Sequence, residues 1–319
     1  MVRCVVSAAL IAFVLRKVNW RALGAILEEV DFRWAISGWA LTFFLIVLLA
    51  FRWRLFLEQQ QVEVRFSTIF GLAWAGQFFN SILPGSTGGD VVKIYQLCRV
   101  VPDRKAAAAA SIVADRLSAL IVLVGLAGTS FLLEPGPLQS VLRDRLGIQS
   151  ILLTVTGFMA AGAATSYLLW LFLRRTSFAA RIRRVFDGLR QCFSCNGRLL
   201  GAFVLALALH TLNFTIVFVF ARSLGLTMSY RQALLMMPVI LFLVMIPITI
   251  NGHGLREVLL IAYLSAMGVT VAGHPEFKTL DTAVALSLLT VANDLLWSLP
   301  GGLWYLLAFR ARRARENDS

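Results

Sequence analysis

The stretch WAISGWALTFFLIVLLAFRW, residues 34–53, decides the fold class of this chain. At a rise of about 1.5 Å per residue, a helix of this length spans about 30 Å, which is the thickness of the apolar part of a bilayer. Leu, Phe and Ala predominate in it, which favours a helix over the short alternating strands of a membrane barrel. The sequence therefore predicts an all-α polytopic membrane protein.

The composition of the whole chain agrees with this prediction. Of its 319 residues, 59% are hydrophobic and 15% are charged, and the mean hydropathy is +0.78. Soluble domains carry about 25% charged residues. The net charge of +13 is distributed over short basic loops between apolar stretches, as the positive-inside bias and contact with anionic lipid produce. A nucleic-acid partner is therefore not expected.

Hydropathy predicts about six full spans and two interrupted apolar stretches. The full spans lie at 2–16, 34–53, 106–133, 149–173, 199–221 and 281–308. The first interrupted stretch, 66–98, contains Pro84-Gly85-Ser86-Thr87-Gly88-Gly89. The second, 232–268, contains Pro247 and Asn251-Gly252-His253-Gly254. Because proline and glycine interrupt helices, each stretch should form two shorter helices separated by a break.

Loop charges predict the orientation of these segments. Seven arginines lie in 174–198 and four in 310–319, so both segments are expected in the cytoplasm. Counting outward from them places 54–65 and 99–105 inside, and 134–148 and 269–280 outside. These loop positions are consistent with each other only if 66–98 enters and leaves the membrane on the cytoplasmic side and 232–268 enters and leaves on the outer side. The count also places 16–33 outside, where an interfacial amphipathic helix is expected despite four basic residues.

This topology divides the chain into two membrane repeats of opposite orientation. The first is 1–133, the second is 134–309, and a basic cytoplasmic tail follows at 310–319. Each repeat reads span, span, broken hairpin, span. In the closing spans, Val113-Ala114-Asp115-Arg116-Leu117 resembles Val291-Ala292-Asn293-Asp294-Leu295. Inverted repeats with broken helices in matching positions indicate a transport site near the bilayer midplane.

Charged residues at membrane depth are functional candidates, because each costs about 2.5 kcal/mol or more to insert. Asp90 and Lys93 follow the first break directly, and Arg256 and Glu257 follow the second. A half-helix starting at each break, the first with Thr87-x-x-Asp90 as a capping box, would offer free N–H groups to an anion. Asp90 and Glu257 are explained equally well as helix caps. The cations are not, because the helix dipole disfavours them there.

The remaining polar residues permit more than one interpretation. Asp115-Arg116 belongs either to the site or to a structural pair that holds spans together. His210 lies alone in an apolar span and is expected to pack there, whereas His253 stands inside a break. Cys192-x-x-Cys195 has no second pair and no nearby histidine, so neither a metal nor a redox role is expected. No nucleotide-binding, metalloprotease or hydrolase motif is found, so no cofactor and no catalytic residue is predicted.

Three motifs occur in order along the chain: Asn80-x3-Pro84-Gly85-x2-Gly88-Gly89-Asp90-x2-Lys93, Asp115-Arg116-Leu117 and Pro247-x4-Gly252-x-Gly254-x-Arg256-Glu257. Through them nearly the whole chain resembles the lysylphosphatidylglycerol synthase transmembrane family, also called flippase-like or uncharacterised protein family 0104. The resemblance implies a multi-span lipid-handling protein. In the namesake synthases a related module flips an aminoacylated phospholipid, which a separate soluble domain makes. The residues after Phe309 are expected to be too few for such a domain.

The chain departs from the family pattern in two places. Lys93 stands where an arginine is common, which keeps the charge but loses bidentate recognition of phosphate. His253 lies between two glycines, where relatives vary. Both departures bear on the identity of the lipid head group.

Three functions remain open. The first is a flippase-like translocator in a bacterial plasma (inner) membrane, not an enzyme, which binds an anionic phospholipid or lipid-linked phosphate and forms a monomer or a homodimer. The second is a membrane-embedded transferase that uses Asp90, Asp115 or Glu257 on a lipid phosphate. The third is a non-catalytic partner of a lipid-modifying enzyme. The candidate lipid-binding residues are Asn80, Pro84, Gly88, Gly89, Asp90, Lys93, Asp115, Arg116, Asn251, Gly252, His253, Gly254, Arg256 and Glu257.

Overall fold

A computed structural model of the protein describes residues 16–82, 88–134, 177–194, 196–245, 254–274 and 276–317. Within these ranges the chain is helical and contains no β-strand, only isolated bridges of Val271 with Leu226 and with His274. The predicted all-α class is confirmed for this part of the chain.

The helices are numbered here in chain order. They are α1 (Trp20–Glu28), α2 (Phe32–Gln59), α3 (Phe66–Ile82), α4 (Gly88–Val100), α5 (Lys105–Leu133), α6 (Ser177–Cys192), α7 (Gly197–Ser223), α8 (Tyr230–Met245), α9 (Leu255–Ala266) and α10 (Thr279–Asn317). A 3-10 turn, Pro102–Arg104, joins α4 to α5.

Within the described ranges, four helical segments are long and apolar enough to cross a membrane: Phe32–Gln59, Pro102–Leu133, Gly197–Ser223 and Thr279–Ala308. They contain four of the predicted spans. The other two, 2–16 and 149–173, lie outside the described residues. Large apolar side chains such as Phe44 and Leu132 are exposed on these helices. In a helix that is apolar all round, such side chains face lipid.

Both interrupted stretches contain two helices, as predicted. The first comprises α3 and α4, and the second comprises α8 and α9. Residues 83–87 and 246–253, with Pro84 and Pro247, fall between the described ranges. With 13 and 12 residues, α4 and α9 reach about 20 Å, too short to cross a bilayer alone.

The loops that were assigned to the cytoplasm meet at one end of the bundle. Gln60 donates a hydrogen bond to the Gly188 carbonyl over 2.8 Å, and Arg104 donates to the Gln60 carbonyl over 3.1 Å. The amide of Gln59 lies 2.7 Å from the side chain of Asn196, which caps α7. The loop 54–65, the turn before α5 and helix α6 are therefore neighbours.

The segments that were assigned to the outside meet at the other end of α7. Asn19 donates from its backbone to Asp281 over 2.9 Å, and Asp31 donates to the Ser223 carbonyl over 2.8 Å. With 27 residues, α7 separates the two ends by about 40 Å. The segment 16–33 thus lies beside 269–280. It contains the expected short amphipathic helix, α1, which buries Leu23 and Ile26.

Glycines let α10 lie against α3. A Cβ atom at Gly301 would clash with the Trp74 carbonyl, and one at Gly302 would clash with the Phe78 ring. One turn before Gly301, the Trp297 carbonyl accepts a hydrogen bond from the Trp74 indole over 2.5 Å. Helix α10 continues to Asn317, through most of the segment that was predicted as a separate tail at 310–319.

Candidate functional site

The charged residues after the first break form a network between α4 and α5. Asp90, in the first turn of α4, accepts from two cations. The Lys93 ammonium lies 2.9 Å from its Oδ1 atom. The Arg116 guanidinium donates from Nε to Oδ2 over 2.7 Å and from Nη2 to Oδ1 over 2.9 Å. The two cations differ in exposure: Arg116 leaves 50% of its side chain exposed, and Lys93 leaves 7%.

Asp115 has a different partner from the adjacent Arg116. Arg52, on α2, donates from Nε and Nη2 to the Asp115 carboxylate over 2.7 and 3.0 Å. Both side chains of this pair are buried. Successive residues on a helix point about 100° apart, so Asp115 faces α2 while Arg116 faces α4. The two residues do not form one structural pair; each holds a different helix to α5.

Lys93 is enclosed by its surroundings. Its aliphatic stem packs against Gly76 of α3, and its ammonium lies 5.3 Å from the centre of the Trp53 ring. One turn along α4, Gln96 donates to the Tyr305 hydroxyl over 3.1 Å. Arg52, Lys93 and Arg116 outnumber Asp90 and Asp115, so the five-residue network carries one net positive charge.

The Asn80 and Gly89 positions of the first motif fix the start of α4 against α3. The Gly89 amide donates to the Asn80 side-chain oxygen over 2.8 Å. A Cβ atom at Gly89 would clash with the Gly76 carbonyl. The close approach therefore requires glycine at position 89. Gly88 is the first residue of α4, while Pro84 and Thr87 fall in the gap before it.

The second break is followed by a smaller polar cluster. Glu257 accepts from the backbone amide of Gly254 over 2.6 Å and from the hydroxyl of Ser287. It therefore caps α9, as the capping interpretation predicts. Gly254 has a φ of +88°, which favours glycine. Arg256 donates from Nη2 to the Ser287 hydroxyl over 2.9 Å and lies 3.6 Å from Glu257.

Arg256 retains capacity for a further acceptor. Its Nε atom is buried and has no hydrogen-bond partner in the described ranges. Pro247, Asn251, Gly252 and His253 precede α9 in a part of the chain that the structure does not describe.

The two half-helices pack in different places. Helix α4 lies between α3 and α5, whereas α9 lies between α8 and α10. On α10, Ser287 contacts Arg256 and Tyr305 contacts Gln96. These two positions are 18 residues apart, which is about 27 Å along a helix. Among the described residues no hydrogen bond or ion pair joins Lys93 to Arg256.

Several members of these clusters, chiefly Arg52 and Ser287, are not predicted by the sequence. Arg52 lies one residue before the end of the predicted span 34–53, close to Arg54, and has the pattern of an interfacial charge. Its spacing from Arg54 distinguishes it from that residue. Because Arg52 precedes Arg54 by two residues, it points to another side of the helix. Ser287 has no sequence signal, because serines are common in membrane helices.

The isolated polar residues behave as packing groups. His210 contacts the Ala119 carbonyl at 3.0 Å and joins α7 to α5, as predicted. The Cys192 thiol is buried against Gln60, 3.2 Å from its amide nitrogen, and this burial raises the pKa of the thiol to about 11. Cys4 and Cys195 fall outside the described ranges. Within those ranges no cluster of three or more His, Cys, Asp or Glu residues forms a metal site.

Comparison with known proteins adds two similarities. The model of the family described as "Lysylphosphatidylglycerol synthase TM region" matches residues 1–292. The chain is also 23% identical over 275 residues to a UPF0104 membrane protein of Pyrococcus horikoshii. That alignment covers 79% of this chain and 82% of the relative.

Proposed function

This chain belongs to the Lysylphosphatidylglycerol synthase TM region family, and on that premise we propose that it translocates an anionic phospholipid or a lipid-linked phosphate. It acts on this lipid in the bacterial inner membrane and leaves it chemically unchanged. The observation that carries the proposal is the charge network of α2, α4 and α5. It holds an excess of one cation inside a helical membrane protein, next to the start of a half-helix.

The energetics of the network support a role in binding an anion. Each charge at membrane depth is costly to insert, and a purely structural network is least costly when it is neutral. An excess cation beside a helix start, where the helix dipole is positive, attracts a phosphate. Transport of a lipid head group through the membrane requires such a polar site within the bilayer.

We propose further that the two halves form an inverted repeat. The short helices after each break support this arrangement, as do the two groups of loops at opposite ends of α7. Glu63 then lies in the cytoplasm and Thr227 lies outside. In this topology Asp90 and Glu257 belong to equivalent half-helices that enter the membrane from opposite sides. A lipid that crosses the membrane then meets the polar cluster at Asp90 and the one at Glu257 in succession.

The bonding of the carboxylates favours transport over transferase activity. A general base must reach the proton that it removes. Asp90 is held by two cations, Asp115 by the Arg52 guanidinium, and Glu257 by the Gly254 amide and the Ser287 hydroxyl. Each of these carboxylates therefore has its acceptor oxygens engaged. The third function, a non-catalytic partner of a lipid-modifying enzyme, is separated from transport by experiment.

Reconstitution of the purified protein in vesicles separates the three functions. The vesicles contain phosphatidylglycerol and phosphatidylethanolamine, and both the leaflet distribution and the mass of each lipid are measured. Movement of phosphatidylglycerol without a change in mass is the expected result. A new lipid mass supports the transferase, and neither change supports the partner role.

A further inference from the structure

We propose that the Asp90 carboxylate occupies, on the Arg116 guanidinium, the place that a lipid phosphate takes when it binds. Binding of the head group is then an exchange of anions: the phosphate displaces Asp90 from Arg116, and Asp90 stays with Lys93. This inference rests on the proposed function and names the residue that holds the lipid at its first site.

The difference in exposure between the two cations selects Arg116. Half of the Arg116 side chain is exposed, whereas 7% of the Lys93 side chain and 11% of the Asp90 side chain are exposed. A lipid that arrives from the bilayer therefore reaches the Arg116 side chain before it reaches that of Lys93. Lys93 is covered by Gly76 and Trp53 and serves as the inner counter-ion of Asp90.

The geometry of the pair suits an exchange. Arg116 presents Nε and Nη2 to the two carboxylate oxygens of Asp90, which is the fork that also binds two oxygens of a phosphate. Asp90 keeps a second cation at 2.9 Å when it leaves Arg116. The exchange therefore leaves neither carboxylate nor guanidinium unpaired, and it avoids the cost of stranding a buried charge.

The charge balance predicts the class of lipid. The five-residue network carries one net positive charge, and a phosphodiester adds one negative charge, so the occupied network is neutral. A zwitterionic head group brings an ammonium that restores the positive charge. The site should therefore prefer an anionic phosphodiester, such as phosphatidylglycerol, to phosphatidylethanolamine.

The surroundings of Arg116 fit a lipid whose acyl chains remain in the bilayer. Leu117, next to it on α5, is exposed, and so are Val91 and Tyr95 on α4. These exposed side chains lie near Asp90 and Arg116 along α4 and α5. Head group and chains can thus bind together at one edge of the protein.

Lipid binding to the full-length protein in detergent tests the exchange. The probe is dioctanoyl phosphatidylglycerol, with dioctanoyl phosphatidylethanolamine as the zwitterionic control, and the dissociation constant is measured by native mass spectrometry. Asp90→Asn removes the competing anion and should bind phosphatidylglycerol at least tenfold more tightly. Arg116→Ala removes the guanidinium that would hold the phosphate, and this variant should bind phosphatidylglycerol at least tenfold more weakly. Arg54→Ala removes an exposed arginine that also pairs with a carboxylate, Glu58, at 2.7 Å, and should have no effect.

A second variant guards against poor folding of Asp90→Asn. The double replacement Asp90→Asn with Lys93→Met keeps the net charge of the network at one and still frees Arg116. It should also bind phosphatidylglycerol more tightly than the wild-type protein. Weaker binding by this double variant would assign the phosphate to Lys93 and overturn the inference. Unchanged or weaker binding by a folded Asp90→Asn protein would overturn it as well.

Failure of this inference is distinguishable from failure of the proposed function. If the wild-type protein moves lipid but Asp90→Asn does not tighten binding, the exchange is wrong and transport stands. If the wild-type protein moves no lipid, the proposed function fails. Tighter binding by Asp90→Asn would in that case still support the exchange.

Discussion

The Arg116 guanidinium and the Asp90 carboxylate are joined by two hydrogen bonds of 2.7 and 2.9 Å, between the start of a half-helix and the middle of a membrane-spanning helix. The same carboxylate holds the buried Lys93 ammonium. One anion thus connects an exposed cation to an enclosed one. The contacts described above lead to four testable predictions.

The first prediction concerns the buried pair of Arg52 and Asp115. Asp115→Asn leaves the Arg52 guanidinium buried without a counter-charge, and it should lower the free energy of unfolding by about 3–5 kcal/mol. Glu58→Gln breaks an exposed pair with Arg54 and should cost about 1 kcal/mol or less. Thermal unfolding of the purified variants in detergent measures both effects. Equal losses in the two variants would mean that the buried pair does not stabilise α5 against α2.

The second prediction concerns the close approach of α4 to α3. Gly89→Ala places a methyl group against the Gly76 carbonyl and should destabilise the protein by about 1–3 kcal/mol, as overpacking does. Gly125→Ala, in open space on α5, should be neutral or stabilise the helix by about 1 kcal/mol. The midpoint of thermal unfolding distinguishes the two variants. A stable Gly89→Ala protein would contradict the described contact.

The third prediction concerns sidedness. Single cysteines at Glu63 and Thr227, both exposed, are placed in a protein whose four native cysteines are replaced by alanine. A membrane-impermeant maleimide added outside intact cells should label Thr227→Cys and leave Glu63→Cys unlabelled until the cells are opened. Labelling of both positions from the same side would exclude the proposed inverted topology.

The fourth prediction concerns the pH dependence of the ion pairs of His274. His274 contacts Glu276 at 2.9 Å and Glu29 at 3.2 Å, and the hydrogen bond with Glu276, helped by the charge of Glu29, raises the pKa of His274. A raised pKa in the folded protein means that protonated His274 stabilises the fold. This contribution is complete below the unfolded histidine pKa of about 6.5 and is lost as pH rises through the folded pKa.

His274→Gln should therefore lower the thermal midpoint at about pH 5.5 and leave it almost unchanged at about pH 8.5, on either side of the histidine pKa. Thr227→Val removes a hydrogen bond to the Thr270 carbonyl without removing a titrating group. Its effect should be the same at both pH values. A His274→Gln effect that is independent of pH would contradict the assignment of these ion pairs.

Hydropathy located the long helices well but not their ends. The predicted span 34–53 lies within α2, which continues to Gln59 because Arg54 and Glu58 extend the helix beyond the apolar run. Helix α10 likewise continues beyond the predicted span 281–308 and ends at Asn317. Window hydropathy reports where the chain is apolar, and a helix that leaves the bilayer is not apolar.

The motifs predicted which residues lie at the starts of α4 and α9, but not what those residues contact. Lys93 and Arg256 are both candidate lipid-binding residues, and in the structure Lys93 packs near Trp53 and Gly76 while Arg256 packs near Ser287. A shift of one residue rotates a side chain by about 100° around a helix. The pairing of Arg52 with Asp115, 63 positions apart, depends on that rotation and on helix packing. Neither is encoded in a local pattern.

A dithionite bleaching assay measures directly whether the protein moves an anionic lipid between leaflets. The vesicles contain the protein and phosphatidylglycerol that carries a fluorescent nitrobenzoxadiazole label on its head group. Dithionite reaches only the outer leaflet, so bleaching beyond the outer-leaflet fraction reports translocation. The wild-type protein and Arg54→Ala should bleach the inner-leaflet probe. Arg116→Ala should be slower by roughly tenfold to a hundredfold, because it removes a charge-assisted contact worth about 1.5–3 kcal/mol. The central claim is that the protein translocates an anionic lipid. It would be contradicted if vesicles with folded wild-type protein protected the inner-leaflet probe from bleaching as fully as protein-free vesicles do.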